Sequence, residues 1–258
     1  GRTELEKSLL NTYSATDGLN DQFIHVRPTE FTMGSSKAQP NAEANEVPHV
    51  IRGLGPFDLQ AKELTQAQWV HVMGYNPSEF RRAEDCPLEH VRKNGVEFCT
   101  LHPVENVSWN EIQIFLSRLN LIDQTYQYRL PTEVEWEFAA RGGTSTAFHF
   151  GDAPAELHKY GWWYKNSNNK SQSVGLKRPN PYGFYDMHGN VWEWTGDWYR
   201  PYSATESNQK FRTIRGGSWF SDHPNLRSAN RGNAAPTSRV PFIGFRLVRS
   251  LKAASSNH

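Results

Sequence analysis

The sequence predicts a loop-rich α+β fold with few short helices and strands. Three observations predict it. Three capping boxes open short amphipathic segments before residue 144, and helix signals give way beyond that point to aromatic, Gly, Asn and Pro residues. Punctuation is dense, with 19 Gly and 15 Pro among 258 residues. Aromatic residues make up 13% of the chain and include nine Trp, so the core is expected to be built from large rings rather than aliphatic layers.

Residues 1–22 are polar, and Glu4, Leu5, Leu9 and Leu10 allow at most a short helix. Phe23-Ile24-His25-Val26 reads as a strand. Glu30 to Ser35 reads as a second strand that stops on a turn at Gly34, and residues 36–47 read as a loop. Val47 to Asp58 alternates loosely between Pro and Gly breaks, as strand and turn do. The first helix starts at Thr65, whose spacing to Gln68 is that of a capping box. Trp69, Val72 and Met73 share one face, Gly74 ends the helix, and Asn76-Pro77-Ser78 turns the chain. Ser108 and Glu111 open a second helix with Ile112, Phe115, Leu116 and Leu119 on one face and a stop at Asn120. Thr132 and Glu135 open a third, with acidic residues in its first turn where the helix dipole favours them, and Gly142-Gly143 close it. No linker, composition break or repeat divides residues 1–258, which read as one domain.

Composition excludes some functions. The net charge of +1 provides no basic footprint for nucleic acid, and Arg81, Arg82, Arg92 and Lys93 read as solvated surface. No apolar run approaches the ~20 residues of a membrane helix. The chain begins at Gly1, which fits either a removed leader or a shortened chain. Cys86 and Cys99 lie in one loop-like stretch; they pair with each other if the protein is exported, and are two free thiols in a reducing compartment. His90 and His102 lack the spacing that would make them zinc ligands with these cysteines.

Three blocks carry a family resemblance: Arg129-Leu-Pro-Thr-Glu-Val-Glu-Trp-Glu-Phe-Ala-Ala-Arg-Gly-Gly143, Asn180-Pro-Tyr-Gly-Phe-Tyr-Asp-Met-His-Gly-Asn-Val-Trp-Glu-Trp194, and Arg215-Gly-Gly-Ser-Trp219 with Leu226-Arg-Ser-Ala229 and Ile243-Gly-Phe-Arg-Leu-Val248. Pro103 to Trp109 and Leu64 to Trp69 add to them. Together, from about residue 30 to 250, the chain resembles the formylglycine-generating-enzyme (sulfatase-modifying-factor) family. The resemblance implies a C-type-lectin-like fold with little regular secondary structure. It also implies a structural calcium held by the side chains of Asn190 and Glu193 and the carbonyls of Gly189 and Val191, a hard-oxygen set that suits this ion. His188 reads as a packed or solvated histidine rather than a ligand. Trp192, Trp194, Trp198 and Trp219 read as core, and Asp197 and Arg215 as a potential pair.

Catalytic members of the family carry one cysteine two residues past the aromatic of the Gly-Gly-Ser motif and another five residues later. These thiolates hold copper(I). The matching positions here are Ser221 and Leu226, so no copper and no cysteine-to-formylglycine oxidation are expected. No Ser-His-Asp set or iron facial triad stands out either, and Asp222-His223 reads as a polar surface loop.

The last segment alternates a fixed-looking skeleton with patches of unrelated residues. This layout resembles the variable proteins of diversity-generating retroelements, in which adenine-directed mutagenesis of AAY codons cannot yield Lys, Glu, Gln, Met or Trp. None of those five occurs from Phe220 to Ser250. Within residues 215–250 the resemblance nominates Phe220, Ser221, Asp222, His223, Asn225, Asn230, Gly232, Asn233, Ala234, Ala235, Thr237, Ser238, Val240, Pro241 and Phe242 as a solvent-facing ligand pocket on a rigid scaffold, with Phe220, His223 and Phe242 as anchors. The expected function is a non-catalytic, surface-displayed or periplasmic protein binding a protein or other macromolecular ligand. A cysteine-less oxidative tailoring enzyme of the periplasm and a non-diversified accessory or sensor domain are the alternatives.

Overall fold

The computed structural model describes residues 22–204 and 209–253, and the short helix allowed near Leu5 to Leu10 lies outside them. The α+β expectation holds. All three capping boxes close. Thr65 opens α1 (Gln66–Met73), Ser108 opens α2 (Trp109–Ile122) and Thr132 opens α3 (Glu133–Arg141), each with the reciprocal side-chain bond to its N-cap backbone. Gly74 and Gly142 end α1 and α3 in the left-handed conformation that glycine adopts without steric cost.

Strands β1 (Phe23–Val26), β4 (Phe57–Gln60), β7 (Tyr126–Arg129) and β12 (Val248–Leu251) form one antiparallel sheet in the order β1-β4-β12-β7, so the end of the described chain pairs between two early segments. A second sheet has the order β10-β9-β8-β11, built from β8 (Trp192–Trp198), β9 (Arg212–Arg215), β10 (Arg231–Ala234) and the short β11 (Ile243–Gly244), which runs parallel to β8. Two small hairpins complete the set: β2 (Phe31–Met33) with β3 (His49–Ile51), and β5 (His90–Lys93) with β6 (Val96–Cys99).

The largest core lies between α1, α2 and both sheets. Trp69 stacks on Phe115 with ring centroids 5.1 Å apart, and Phe245 meets both rings edge-on. A second core packs Trp136, Phe138 and Ala139 of α3 against Phe57, Leu59 and Val248. Of the tryptophans expected in the core, Trp194 and Trp219 are buried, while Trp192 and Trp198 are partly exposed.

Four expectations are corrected. The Cys86–Cys99 stretch is a hairpin rather than a loop, turned at Asn94-Gly95 with both residues at positive φ, and its two cysteines are joined by a disulfide. Helical turns recur beyond residue 144, where Pro154 opens a turn that runs into Leu157–Tyr160 and Asp222 caps another at His223–Leu226. Asp197 does not pair with Arg215; its Oδ2 accepts from the Glu133 backbone N–H at the start of α3. Asn120 does not stop α2, which runs two residues further.

Instead, the Asn120 amide works as a piece of sheet. Its Nδ2 donates to the Tyr128 carbonyl and its Oδ1 accepts from the Tyr128 N–H, which ties α2 to β7. Asn120→Ala leaves both backbone groups unpaired and is expected to cost about 2 kcal/mol in urea unfolding.

Candidate functional site

The skeleton of residues 215–250 is a set of buried arginines. Arg215, Arg227, Arg231 and Arg246 are each at most 5% exposed. Arg246 clasps Glu193 through two 2.7 Å bonds, and Arg227 clasps Glu46 at 2.6 and 2.7 Å. Arg231 holds Glu133 at 2.6 and 2.8 Å, and Arg215 reaches Glu137, which also binds Arg141. Burial alone would raise the Glu137 carboxyl, but Arg215 and Arg141 hold it below its ordinary value. Gly217 makes the tight exit from β9: it sits at φ +74°, and a Cβ there would lie 2.4 Å from Leu226 Cδ2.

The nominated ligand residues separate on this frame. Phe220 is 66% exposed, and Asp222, Asn233 and Thr237 are exposed as well. His223, Asn225, Ala235 and Ser238 are partly exposed, with Asn225 and Ser238 each closing a turn. Two residues are corrected to framework. Ser221 is buried with its Oγ accepting from the Ser218 N–H, and Asn230 is buried with its amide donating toward Glu43 and Glu46. Gly232 faces Ile214 and Trp192 so closely that a Cβ would meet them at 2.8 and 3.1 Å. Ala234, Val240 and Phe242 pack their apolar groups on the main core, and Pro241 receives the Trp219 indole N–H on its carbonyl. The nominated residues are therefore divided between exposed positions and positions packed into the fold.

Residues outside the segment complete the surface. Phe80 meets Trp219 edge-on at 5.3 Å, and Phe220 packs against the same indole. Tyr164, 44% exposed, donates its backbone N–H to the Ser221 carbonyl, and the Lys165 ammonium lies over its ring. A cavity of about 370 Å³ opens beside His223 between Pro40, Phe148 and Pro154. None of these carried a local signal, because each reaches the site through tertiary packing.

Beneath the His223–Leu226 turn lies a buried histidine pair. His188 Nδ1 is 2.8 Å from the Leu226 carbonyl, and His149 Nδ1 is 2.9 Å from His188 Nε2. A carbonyl only accepts, so His188 Nδ1 carries the proton, its Nε2 accepts from His149 Nδ1–H, and His149 Nε2 is left as a bare lone pair. That nitrogen is buried without a partner among the described residues. His188 is thus packed, as expected.

The calcium residues fare differently. The Asn190 amide is spent: its Oδ1 accepts from Gln172 N–H, and its Nδ2 donates to Glu63 and to the Gln172 carbonyl. Glu193 is held by Arg246 and by the Trp136 indole. Yet Glu63, Asp186 and Glu193 are all buried in this corner with the single guanidinium of Arg246. Burial, together with the neighbouring carboxylates, drives Glu63 well above its ordinary range, and burial lifts Asp186 to about 6. Asp186 Oδ1 is buried and unpartnered among the described residues. No three acidic, His or Cys side chains among those residues converge as a metal set, so carbonyls would have to contribute. The open Asp186 oxygen suits a hard cation, as the spent Asn190 amide does not.

The histidine pair makes acid destabilising. Burial pushes His149 down to about 4 and His188 to about 3, so both are neutral when folded and take up protons below about 6.5 when unfolded. Stability is therefore full above that pH and is lost as the pH falls toward the folded values. Relative to His149→Gln, the wild type is expected to lose about 2 kcal/mol between about pH 7 and 4.5 in paired thermal melts.

The description of the sulfatase-modifying factor enzyme 1-like domain matches residues 11–251. A Paenibacillus barcinonensis protein called chaperone protein LppX is 30% identical over 230 residues, covering 76% of this chain and 81% of that protein. The inactive C-alpha-formylglycine-generating enzyme 2 of Mus musculus is 32% identical over 229 residues, covering 83% and 68% respectively. The solved structure of Treponema denticola variable protein 1 superposes with a TM-score of 0.74 at 28% identity, covering 88% of this chain and 94% of that one. These likenesses bear out the fold expected from the sequence motifs.

Proposed function

The chain belongs to the sulfatase-modifying factor enzyme 1-like family, and on that premise we propose that it is a non-catalytic ligand-binding protein, diversified by a retroelement and displayed at the cell surface. The observation that carries this reading is the division of labour within residues 215–250. Four buried arginines fix the backbone, while Phe220, Asp222, Asn233 and Thr237 between them point to solvent. Side chains that hold nothing in place can change without cost to the fold, which is what a diversified surface requires. The likeness to the Treponema denticola variable protein supports this reading, and the absence of Lys, Glu, Gln, Met and Trp from 220–250 agrees with adenine-directed change.

The ligand is a protein or other macromolecule, gripped by Phe220 and His223 with Phe80 and Tyr164 as fixed neighbours; aromatic groups carry most of the energy in such contacts. The Cys86–Cys99 disulfide supports export, since disulfides persist in oxidising compartments. Against copper chemistry stand Ser221, whose hydroxyl serves the Ser218 backbone, and Leu226, which is fully buried among Phe148, Leu157 and Trp163. Neither can bind a soft metal. In the Asp186 corner we assign a structural calcium, for which the family resemblance names the Gly189 and Val191 carbonyls as further donors.

Sequencing the DNA downstream of the gene is expected to reveal a near-copy of the segment for 215–250, with adenines at the mismatches; its absence makes the surface a fixed one. Phe220→Ala, Asn233→Ala and Thr237→Ala should each change unfolding free energy by less than about 0.5 kcal/mol, whereas Arg227→Ala should cost about 3–5 kcal/mol by stranding Glu46. Calcium should raise the melting temperature above that in EDTA, and Asp186→Asn should remove the difference. An unchanged wild-type melt would take the ion out of the fold.

A further inference from the structure

Helix α1 carries a second stripe that the main core does not use. Trp69, Val72 and Met73 face inward, whereas Ala67, Val70, His71 and Gly74, spaced i, i+3, i+4 and i+7, line a cleft of about 510 Å³ against the β5–β6 hairpin. That volume lies within the range of small-molecule sites.

The hairpin register sorts its side chains. Lys93 stands opposite Val96 and Val91 opposite Phe98, so these four share one face, while His90, Arg92, Glu97 and Cys99 share the other. The hairpin's one carboxylate, Glu97, is bound there by His90 at 2.8 Å. The cleft face is therefore apolar, through Val96 and Phe98, with the Lys93 ammonium at its rim and no carboxylate lining it. Lys93 has no ion-pair partner among the described residues. Burial, and to a lesser degree this ammonium, pushes the neighbouring His71 imidazole down to about 4.

The cleft is also held open in advance. The Cys86–Cys99 disulfide fixes the base of the hairpin. Buried Gln66 of α1 accepts the Cys99 N–H and the Asn76 amide on its Oε1, and the Asn76 amide also donates to the Glu97 carbonyl. Little ordering is left for a ligand to impose.

We propose that this cleft binds a small amphipathic anion, an apolar ring or short acyl chain ending in a carboxylate, with its body on Val70, Val96 and Phe98 and its head on Lys93. The site is separate from the display surface and does not depend on the function proposed above.

Calorimetric titration of the whole chain with octanoate, and with octanol as its neutral counterpart, tests the idea. Octanoate is expected to bind saturably with one-to-one stoichiometry, about tenfold tighter than octanol. Lys93→Met should bring octanoate down to the octanol level, Lys93→Arg should restore it, and Val70→Trp should fill the cleft and abolish both. Octanoate should also move the His71 imidazole titration, followed by NMR, to higher pH. No saturable octanoate binding, equal affinity for octanoate and octanol, or indifference to Val70→Trp would each overturn the assignment.

Discussion

The structure hangs on the pairing of buried guanidinium groups with buried carboxylates. Four arginines of the last third of the chain reach back to glutamates that precede them by 53 to 181 residues. Removing such charges from water costs several kcal/mol per ion, and the cost is met only when both partners are present and further hydrogen bonds use up the remaining donors. Arg246 illustrates this. Besides Glu193 it donates to the carbonyls of Gln60, Ala61 and Tyr185, so one side chain joins β8, the end of β4 and the turn before Asp186. A chain with four short-stranded sheets and many loops gains its specificity from such links, since a wrong register would strand a charge.

The same bonds explain why the display surface separates from the framework. Arg227 and Arg231 bracket residues 228–230, and their guanidinium groups point inward to Glu46 and Glu133. Asn230 is drawn in with them, since its amide faces Glu43 and Glu46. Outside the brackets, Asp222 closes its own turn and Phe220 projects past Trp219, so neither holds a distant segment. Fold stability and surface chemistry thus rest on different atoms within one stretch of about thirty residues.

What the sequence revealed follows from how far each interaction reaches. Capping boxes act over three residues, so Thr65, Ser108 and Thr132 could be read directly, as could the glycines that end α1 and α3. Asn94-Gly95 is an equally local hairpin signal between Val91 and Val96, and it turns the stretch that reads as loop-like into a hairpin. Asn120 looked like a stop because asparagine commonly is one, whereas its amide serves a strand eight residues away. The arginine partners had no such trace. Nothing in the spacing of Arg215 distinguishes Asp197 from Glu137, because the choice is made by α3 packing across the second sheet. Ser221 and Asn230 were misplaced on the surface for the same reason, and Phe80 and Tyr164 were missed.

Packing also bears on the two positions that the family resemblance assigns to copper-binding cysteines. Of the two positions that the resemblance assigns to cysteines, Ser221 retains a polar atom, and its hydroxyl now serves the backbone of the Gly-Gly-Ser turn. Leu226 is different. It fills the space among Ala147, Phe148, Leu157 and Trp163, and its carbonyl is the acceptor that orders the His188–His149 chain. Replacing it with the smaller cysteine would open a void in that cluster, at about 2–3 kcal/mol for the methyl groups removed. The aromatic wall is thus shaped to a leucine, so thiolate chemistry at this position would require repacking rather than a single exchange.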